Sequence, residues 1–226
     1  MNAAIIVAAG DGKRFGGTTP KQFLTLRGKT LLEIAVSRFE ECADILEVVV
    51  VVPADFVDRS MEIIRKFPKT AAVVAGGTTR SGSVLNGLNA AAGAGIIAVH
   101  DGARPLVTVE EISRTVRAAD EFGAACLAVP VTDTIKKTDG QEIITTVDRS
   151  TLRRAVTPQC FRREILERAF AEAESMESAT DECTLVERLG IPVRLVEGSA
   201  RNIKITMPDD LVLAEALLGA RFDETT

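Results

Sequence analysis

The hydrophobic positions of the chain form short continuous runs that alternate with amphipathic stretches. The runs cover residues 3–9, 45–52, 71–75, 96–100 and 124–131 and contain almost no polar side chains. Uniform runs of this kind are typical of parallel strands that are buried on both faces. Between them, residues 30–42, 54–67, 80–92 and 109–122 carry apolar side chains at helical spacing. Strands that alternate with helices in this way predict an α/β fold with a doubly wound, mainly parallel sheet.

The pattern changes after residue 131. Segments 134–138 and 143–147 flank Asp139-Gly140, and this dipeptide is a strong signal for a tight hairpin turn. Because an isolated hairpin is only marginally stable in water, we expect it to pack against its own domain or to reach into a partner subunit.

The remaining chain predicts a helix over 162–176, a helical stretch after Thr180-Asp181-Glu182 within 178–189, a strand over 193–196 and a last helix over 208–218. No internal repeat or low-complexity linker interrupts the sequence. We therefore expect one domain over residues 1–226, with a protruding β-hairpin arm inserted at about 132–150.

A loop rich in glycine follows the first predicted strand and carries the cations Lys13, Arg14 and Lys21. In open α/β sheets, the loop at the carboxyl end of a central parallel strand is where ligands bind. Glycines let the backbone approach a ligand closely, and the cations indicate that the ligand is anionic. The loop is therefore predicted to hold a polyphosphate.

Two familiar phosphate-binding loops do not fit this segment. A Walker A loop requires lysine where Thr18 stands. The dinucleotide fingerprint requires glycine where Phe15 stands, followed at once by a helix, which Gly16, Gly17 and Pro20 disfavour. Neither of these two phosphate-binding motifs therefore fits the loop.

Composition and charge exclude several classes of protein. With 27 cationic and 32 acidic residues the formal net charge is −5, which argues against a protein that coats nucleic acid. The four cysteines are widely spaced and there is one histidine, so we expect no zinc site and a reducing compartment. No apolar run approaches the length of a membrane span, and the first strand begins too early for a signal peptide. We expect a cytoplasmic protein without membrane contact.

The glycine-rich loop reads Ala8-Ala9-Gly10-x-Gly12-x-Arg14, followed by Pro20-Lys21-Gln22. This resembles the signature loop of nucleotidyltransferases that join CTP, UTP or GTP to a phosphorylated small molecule. Further short motifs occur in order along the chain: Gly76-Gly77-x-x-Arg80-x-x-Ser83-Val84, Val99-His100-Asp101-Gly102-Ala103-Arg104-Pro105, Asp133-Thr134, Val147-Asp148-Arg149, Thr157-Pro158-Gln159, Thr180-Asp181-Glu182 and Asn202-Ile203-Lys204.

Together these motifs resemble the 2-C-methyl-D-erythritol 4-phosphate cytidylyltransferases over residues 3–217. Two departures are visible: Gly102 stands where the family usually has alanine, and Cys183-Thr184 stand where it favours Ala-Ser. The resemblance implies transfer of a cytidylyl group from CTP to methylerythritol phosphate, with release of pyrophosphate, in isoprenoid precursor synthesis. It also implies Mg²⁺ or another divalent cation, and a homodimer whose hairpin arm reaches the other subunit.

The chemistry of this reaction agrees with the residue types. The nucleophile is a phosphate monoester that is already anionic, so no general base is needed. The obstacle is the repulsion between two anions, which cations and backbone N–H groups reduce. By resemblance, Arg14 and Lys21 stabilise the pentacoordinate α-phosphate, and Arg149 and Lys204 orient the acceptor phosphate. If the arm crosses between subunits, Arg149 serves the neighbouring site.

The resemblance assigns the other site residues to the two substrates. Asp101 is expected to hold the metal ion or contact the sugar part of the acceptor, although capping of the next turn is the plainer interpretation. Arg104 either binds the acceptor or pairs with Asp101, and His100 is expected to be structural. The nucleotide-binding residues are Ala8, Ala9, Gly10, Asp11, Gly12, Gly77, Arg80, Ser83 and Gly102, and the acceptor-binding residues are Asp101, Arg104, Thr134, Thr157 and Thr180.

Three alternatives stay open at this point. The nearest is the same chemistry with another polyol phosphate, such as ribitol 5-phosphate, since related enzymes share several motifs. A non-catalytic nucleotide-binding module on the same fold is disfavoured because Arg14, Lys21, Asp101 and Lys204 are all present. An NAD(P) dehydrogenase is disfavoured by Phe15 and by the long loop.

Overall fold

The computed structural model describes residues 1–10, 20–91, 93–173 and 179–219. Within these residues the strands are β1 (Asn2–Val7), β2 (Thr25–Leu26), β3 (Lys29–Thr30), β4 (Glu47–Val52), β5 (Thr70–Ala75), β6 (Ile96–Asp101), β7 (Ala124–Pro130), β8 (Ile135–Asp139), β9 (Glu142–Val147), β10 (Arg153–Arg162) and β11 (Arg194–Glu197). The α-helices are α1 (Leu31–Glu41), α2 (Val57–Ile64), α3 (Arg80–Ala90), α4 (Val109–Phe122), α5 (Arg163–Ala171), α6 (Glu182–Arg188) and α7 (Pro208–Gly219).

Seven of the described strands form one sheet in the order β11-β7-β10-β6-β1-β4-β5. Pairing is parallel between β1 and β4, β1 and β6, β4 and β5, and β7 and β11. Strand β1 lies near the middle, where Ala4 and Ile6 contact the layer of α1, α2 and α4, while Ala3 and Ile5 contact the layer of α3, α5 and α6. The predicted doubly wound, mainly parallel sheet is confirmed, because helices cover both faces.

Strand β10 is the main element that the hydrophobic pattern does not predict. It pairs antiparallel with both β6 and β7 in the centre of the sheet. Its sequence begins with Arg153 and Arg154 and contains Pro158, which cannot donate a hydrogen bond to a neighbouring strand. The register with β7 shifts between Ala155 and Gln159, so the irregularity falls where the proline lies.

The predicted helices are found, and several are shorter than predicted. A 3₁₀ turn over Ala54–Phe56 precedes α2, so the predicted helix over 54–67 divides there. Helix α5 is shorter than the predicted 162–176, and residues 174–178 lie outside the described part of the chain. Helix α6 is the helical stretch predicted after Thr180-Asp181-Glu182. The prediction for α4 matches at both ends, and Thr108 and Glu111 form a capping box at its N-terminus.

The predicted hairpin is formed by β8 and β9, which pair antiparallel with each other in a separate two-stranded sheet. Nearly all of its residues are exposed, including Ile143 at 63% and Ile144 at 58%. The arm therefore protrudes from the domain with apolar side chains in contact with solvent. Among the described residues, no helix combines the length and hydropathy needed to cross a membrane.

Candidate active site

Two adjoining clefts open at the carboxyl ends of β1 and β6. The first cleft, of about 110 Å³, is lined by residues that follow these strands and by side chains from three other segments: Val7, Ala8, Gly10, Lys21, Gln22, Arg80, Asp101, Gly102, Ala103 and Lys204. It lies where the sequence predicts a polyphosphate site, because parallel strand ends meet at one edge of the sheet. Asp11, Gly12 and Arg14 lie outside the described residues.

The second cleft, of about 300 Å³, lies beside the first and includes the middle of β10. It is lined by Arg80, Asp101, Arg104, Ala155, Val156, Thr157, Gln159, Thr180, Asp181 and Lys204. Three charged side chains, Arg80, Asp101 and Lys204, belong to both clefts. These side chains form a shared wall, so ligands in the two clefts would meet there.

Asp101, at the end of β6, is the centre of this wall. Lys204 Nζ lies 2.8 Å from Asp101 Oδ2, and both Nε and Nη2 of Arg80 lie 3.3 Å from Oδ1. Arg104 Nε lies 3.7 Å from Oδ2. Burial alone would raise the pKa of Asp101, but Arg80, Lys204 and Arg104 outweigh burial and hold it well below its usual range. The carboxylate therefore stays ionised, with more positive than negative charge around it.

His100 and Thr157 hold the end of β6 against β10. The backbone N–H of Asp101 donates to Thr157 Oγ1 at 3.0 Å, which leaves the threonine hydroxyl free to donate to His100 Nδ1, also at 3.0 Å. His100 Nε2 then carries the proton and donates to the Arg104 carbonyl at 3.0 Å, because a carbonyl can only accept. Asn202 Nδ2 donates to the Thr157 carbonyl at 2.9 Å. Thr157 lines the second cleft, and its hydroxyl is hydrogen bonded inside the protein, where it positions Asp101; its expected role toward the acceptor stays a prediction.

This network predicts a specific pH dependence of stability. Burial lowers the pKa of His100 to about 4, below the ordinary value of an unfolded chain. At mildly acidic pH the unfolded chain binds a proton that the folded chain does not, so acid favours unfolding. We expect His100 to reduce the free energy of unfolding by about 2 kcal/mol between about pH 7 and about pH 5. Urea unfolding at both pH values measures this.

The matched variant is His100→Gln, which retains hydrogen-bonding groups but has no proton to gain in this range. Its free energy of unfolding should lack this part of the pH dependence, even if the variant is less stable at both pH values. An equal pH dependence in the two proteins would show that His100 is not responsible.

Lys21 is placed at the first cleft by a 3₁₀ turn over Lys21–Phe23. Its Nζ donates to the carbonyl of Ile205 at 3.5 Å, so the segment after the glycine-rich loop contacts the segment that carries Lys204. Phe23 anchors the turn by packing against Phe56, with ring centroids 5.1 Å apart. The structure thus brings Lys21 and Lys204, which are distant in sequence, to one cleft.

The Gly76-Gly77 turn lies against the end of β1. A Cβ on Gly76 would lie 2.4 Å from Ala9 Cβ, so only glycine allows this approach. Ser83 Oγ accepts the N–H of Gly77 at 3.1 Å and donates to the Thr79 carbonyl at 2.9 Å. Ala9, Gly77 and Ser83 are beside the first cleft but are not among the residues that line it. The N–H of Gly77 is thus hydrogen bonded to Ser83, and the expected contact of this turn with the nucleotide base stays a prediction.

Gly102 explains one departure from the family motif. Its N–H donates to the Val7 carbonyl at 2.8 Å, which continues the pairing of β1 and β6 into the cleft. A Cβ at this position would lie 2.9 Å from Ala8 Cβ. Alanine here would therefore require a shift of a few tenths of an ångström between the two strand ends.

Thr134 and Arg149 do not join the other predicted site residues. Both lie at the base of the hairpin arm, exposed, and neither is among the residues that line the two clefts. The Arg149 guanidinium donates to the Thr132 carbonyl across that base. Thr180 does line the second cleft, with its hydroxyl 3.3 Å from that of Thr184. Within one chain, the described residues that line the two clefts thus do not include Thr134 and Arg149.

The fold and the site together define a class of protein. A doubly wound sheet with a glycine-rich loop after its first strand, and with several cations around one aspartate at the strand ends, is the arrangement of a nucleotidyltransferase.

Comparison with known proteins gives the family. The model of the family described as IspD, 2-C-methyl-D-erythritol 4-phosphate cytidylyltransferase, matches residues 2–220, and the chain belongs to this family. It is 43% identical over 224 residues to the 2-C-methyl-D-erythritol 4-phosphate cytidylyltransferase of Geobacillus kaustophilus, covering 98% of each chain. The crystal structure of that enzyme from Thermus thermophilus superposes with a TM-score of 0.78 at 39% identity, over 97% of this chain and 100% of the other.

Some relatives are longer. The bifunctional enzyme IspD/IspF of Desulfotalea psychrophila is 43% identical over 218 residues, and the match covers 96% of this chain but 56% of that protein. The chain therefore spans a little over half the length of this bifunctional relative and nearly all of the single-function one.

Proposed function

We propose that the chain transfers a cytidylyl group from CTP to 2-C-methyl-D-erythritol 4-phosphate at the wall shared by the two clefts, forming 4-diphosphocytidyl-2-C-methyl-D-erythritol and pyrophosphate in the non-mevalonate isoprenoid precursor pathway. The observation that carries the proposal is the position of Arg80, Asp101 and Lys204 in both clefts. Two anionic substrates that bind side by side need positive charge between them, and this wall supplies it.

The first cleft is the nucleotide side. Lys21 and Lys204 line it from opposite segments, and the residues that follow β1 bring backbone N–H groups close to a ligand. Arg14 is assigned with Lys21 to the α-phosphate on the motif alone. The reaction places additional negative charge on the α-phosphate oxygens, and fixed cations stabilise that charge most strongly when the site excludes water.

The second cleft is the acceptor side. Thr180 and Lys204 can donate hydrogen bonds to a polyol phosphate, and the ionised Asp101 can accept hydrogen bonds from its hydroxyl groups. Arg104 donates to the Asn202 carbonyl at 2.8 Å, and its Nε is buried without a hydrogen-bond partner among the described residues. We infer that Arg104 holds the wall in place through this hydrogen bond and through the ion pair of its Nε with Asp101 at 3.7 Å.

A divalent cation such as Mg²⁺ is part of the proposal. The described residues contain no group of three His, Cys, Asp or Glu side chains that could hold a metal. Asp101 nevertheless fits, because Mg²⁺ is typically held by one or two carboxylates together with phosphate oxygens. We infer that Asp101 would hold the ion jointly with the CTP phosphates. When bound, such an ion reduces the negative charge of the phosphate groups that must approach each other.

We also propose that the chain is a single domain that acts as a homodimer through the hairpin arm. The arm exposes Ile143 and Ile144, and its base carries Thr134 and Arg149 away from the clefts of its own chain. Burial of these isoleucines against a second copy would stabilise the arm, and would allow Arg149 to complete the partner's acceptor side.

The cysteines support a location in a reducing compartment, and we infer the cytoplasm. Cys42, Cys126, Cys160 and Cys183 are all free, and three of them are buried. Burial raises the pKa of the Cys160 thiol well above its usual range, which makes that thiol unreactive.

The experiment that tests the function is pyrophosphate release with CTP and Mg²⁺. We expect release with 2-C-methyl-D-erythritol 4-phosphate and little or none with ribitol 5-phosphate or without acceptor. Arg104 and Lys204 lie at fixed distances from Asp101, so the cleft should distinguish polyols of different length and branching.

Each other outcome changes a different part of the proposal. Release with ribitol 5-phosphate alone would keep the mechanism and replace the acceptor. Absence of release with both, in a folded protein that binds CTP, would favour a nucleotide-binding module.

A further inference from the structure

A fully buried carboxylate lies behind the shared wall and has no part in the reaction proposed above. Glu182, the first residue of α6, is completely inaccessible, and both of its carboxylate oxygens lie 2.7 Å from Arg80 Nη1. Removing a carboxylate from water is costly, and an ion pair often fails to recover that cost. The pair therefore requires an explanation other than stability.

Arg80 itself is in an unusual position. It is the first residue of α3, where a cation is disfavoured by the helix dipole. Its remaining nitrogens, Nε and Nη2, are 3.3 Å from Asp101 Oδ1, which is longer than its contacts to Glu182. The side chain is thus held mainly from behind by Glu182 and only loosely by the aspartate of the wall. A side chain that violates a local preference beside a functional site indicates a functional constraint.

The residues on both sides of Glu182 are held by hydrogen bonds to β10. Gln159 Nε2 donates to Asp181 Oδ2 at 2.7 Å, and Gln159 Oε1 accepts the N–H of Cys183 at 3.3 Å. One amide side chain from the central strand therefore holds the residue before Glu182 and the residue after it. Since Gln159 is itself buried, Glu182 is a fixed anchor for Arg80.

We propose that Glu182 is a positioning residue for nucleotide binding, which holds the Arg80 guanidinium at the wall of the first cleft. Without the charge of Glu182, the guanidinium turns toward Asp101 and competes with Lys204 for the same carboxylate. The guanidinium then leaves the position from which it faces the polyphosphate, while Lys204 keeps its contact with Asp101 Oδ2. This inference rests on the proposed function, because it takes CTP as the ligand of the first cleft.

A simpler role for Glu182 makes the opposite prediction. If Glu182 only neutralised a buried cation, its removal would make the first cleft more positive and would strengthen the binding of a polyanion. If the ion pair between Arg80 and Glu182 were only structural, its removal would lower the stability of the protein without a selective change in the affinity for CTP. The affinity for CTP therefore distinguishes the three roles.

The test compares Glu182→Gln with Glu187→Gln by calorimetric titration with CTP and Mg²⁺. Glu187 is exposed on the same helix, so its variant is the matched control. We expect the dissociation constant for CTP to rise about tenfold in Glu182→Gln, the order found when the partner of a ligand-binding side chain is changed. The kcat at saturating CTP should change by less than about threefold, and Glu187→Gln should match the wild-type protein.

A double-mutant cycle adds a result that a structural role would not give. In an Arg80→Gln background, Glu182→Gln should cause no further loss of CTP affinity, because the carboxylate acts through Arg80. Should Glu182→Gln fail to fold, Glu182→Asp replaces it. From the same backbone position the shorter carboxylate does not reach Arg80 Nη1, so this variant should also lose CTP affinity selectively.

Two results would overturn the inference. An unchanged or tighter dissociation constant in a folded Glu182 variant, with the wild-type protein binding CTP normally, would reject the positioning role alone. Absence of CTP binding by the wild-type protein would reject the proposed function and this inference with it.

Discussion

Replacement of Lys21 by methionine should lower kcat for pyrophosphate release by about 10²–10³, the usual effect of removing one fixed donor that stabilises transition-state charge. Methionine keeps the length of the aliphatic stem, so the packing of the Lys21–Phe23 turn should persist. The affinity for CTP should fall much less than kcat, because the charge on the α-phosphate oxygens grows mainly as the new bond forms. Steady-state kinetics at saturating CTP, with thermal unfolding to verify the fold, measures the effect.

The control is Lys29→Met, which removes an exposed lysine of β3 from the neighbouring short hairpin. This variant should retain wild-type kcat, which excludes a general effect of net charge. Near-normal turnover in Lys21→Met would remove Lys21 from the mechanism and leave its carbonyl contact to Ile205 as its role.

Mixing two inactive variants should restore activity if the hairpin arm completes the partner's site. Lys21→Met removes a group of the first cleft, and Arg149→Ala removes a group of the arm. In a mixed dimer, one site lacks both groups and the other has both. We expect about one quarter of wild-type activity from an equal mixture, because random pairing makes half of the dimers mixed and each of these has one intact site.

A second mixture is the control for this experiment. Lys21 and Lys204 line the same cleft of one chain, so mixing Lys21→Met with Lys204→Met should restore nothing. Two affinity tags and sequential purification establish that mixed dimers form. If mixed dimers of the Lys21 and Arg149 variants form and remain inactive, each site is contained in a single chain.

The sequence predicts those parts of the fold that depend on local pattern. The sequence correctly predicts β4 from a uniform apolar run and α4 from an amphipathic stretch. Both predictions succeed because burial and helical spacing determine which positions of an element are apolar. Strand β10 is missed because Arg153, Arg154 and Pro158 resemble a loop. Its place in the sheet is determined by its pairing with β6 and β7, and the local sequence does not predict such pairing between distant segments.

The same distinction applies to the site. The motifs predict which residues gather at the strand ends, and Asp101, Arg104 and Lys204 are found together. They do not show which partner each polar group contacts. The hydroxyl of Thr157 is hydrogen bonded to His100, and Glu182 is buried in an ion pair with Arg80. Such assignments depend on burial and on contacts between distant segments. The motif Thr180-Asp181-Glu182 includes Glu182, but these residues are also typical of an ordinary helix N-terminus. The motif alone therefore does not predict that Glu182 pairs with Arg80.

The insertion of β10 between β6 and β7 limits where the length of the chain can vary. Its residues 159–161 are buried and paired with both neighbouring strands, so a shift of this register by one residue would move every side chain to the opposite face of the sheet. The turn at Gly140 is exposed and has nothing within 4 Å of an added Cβ. Insertions and deletions among natural relatives should therefore concentrate at the tip of the arm, while the distance from its base to Thr157 stays constant.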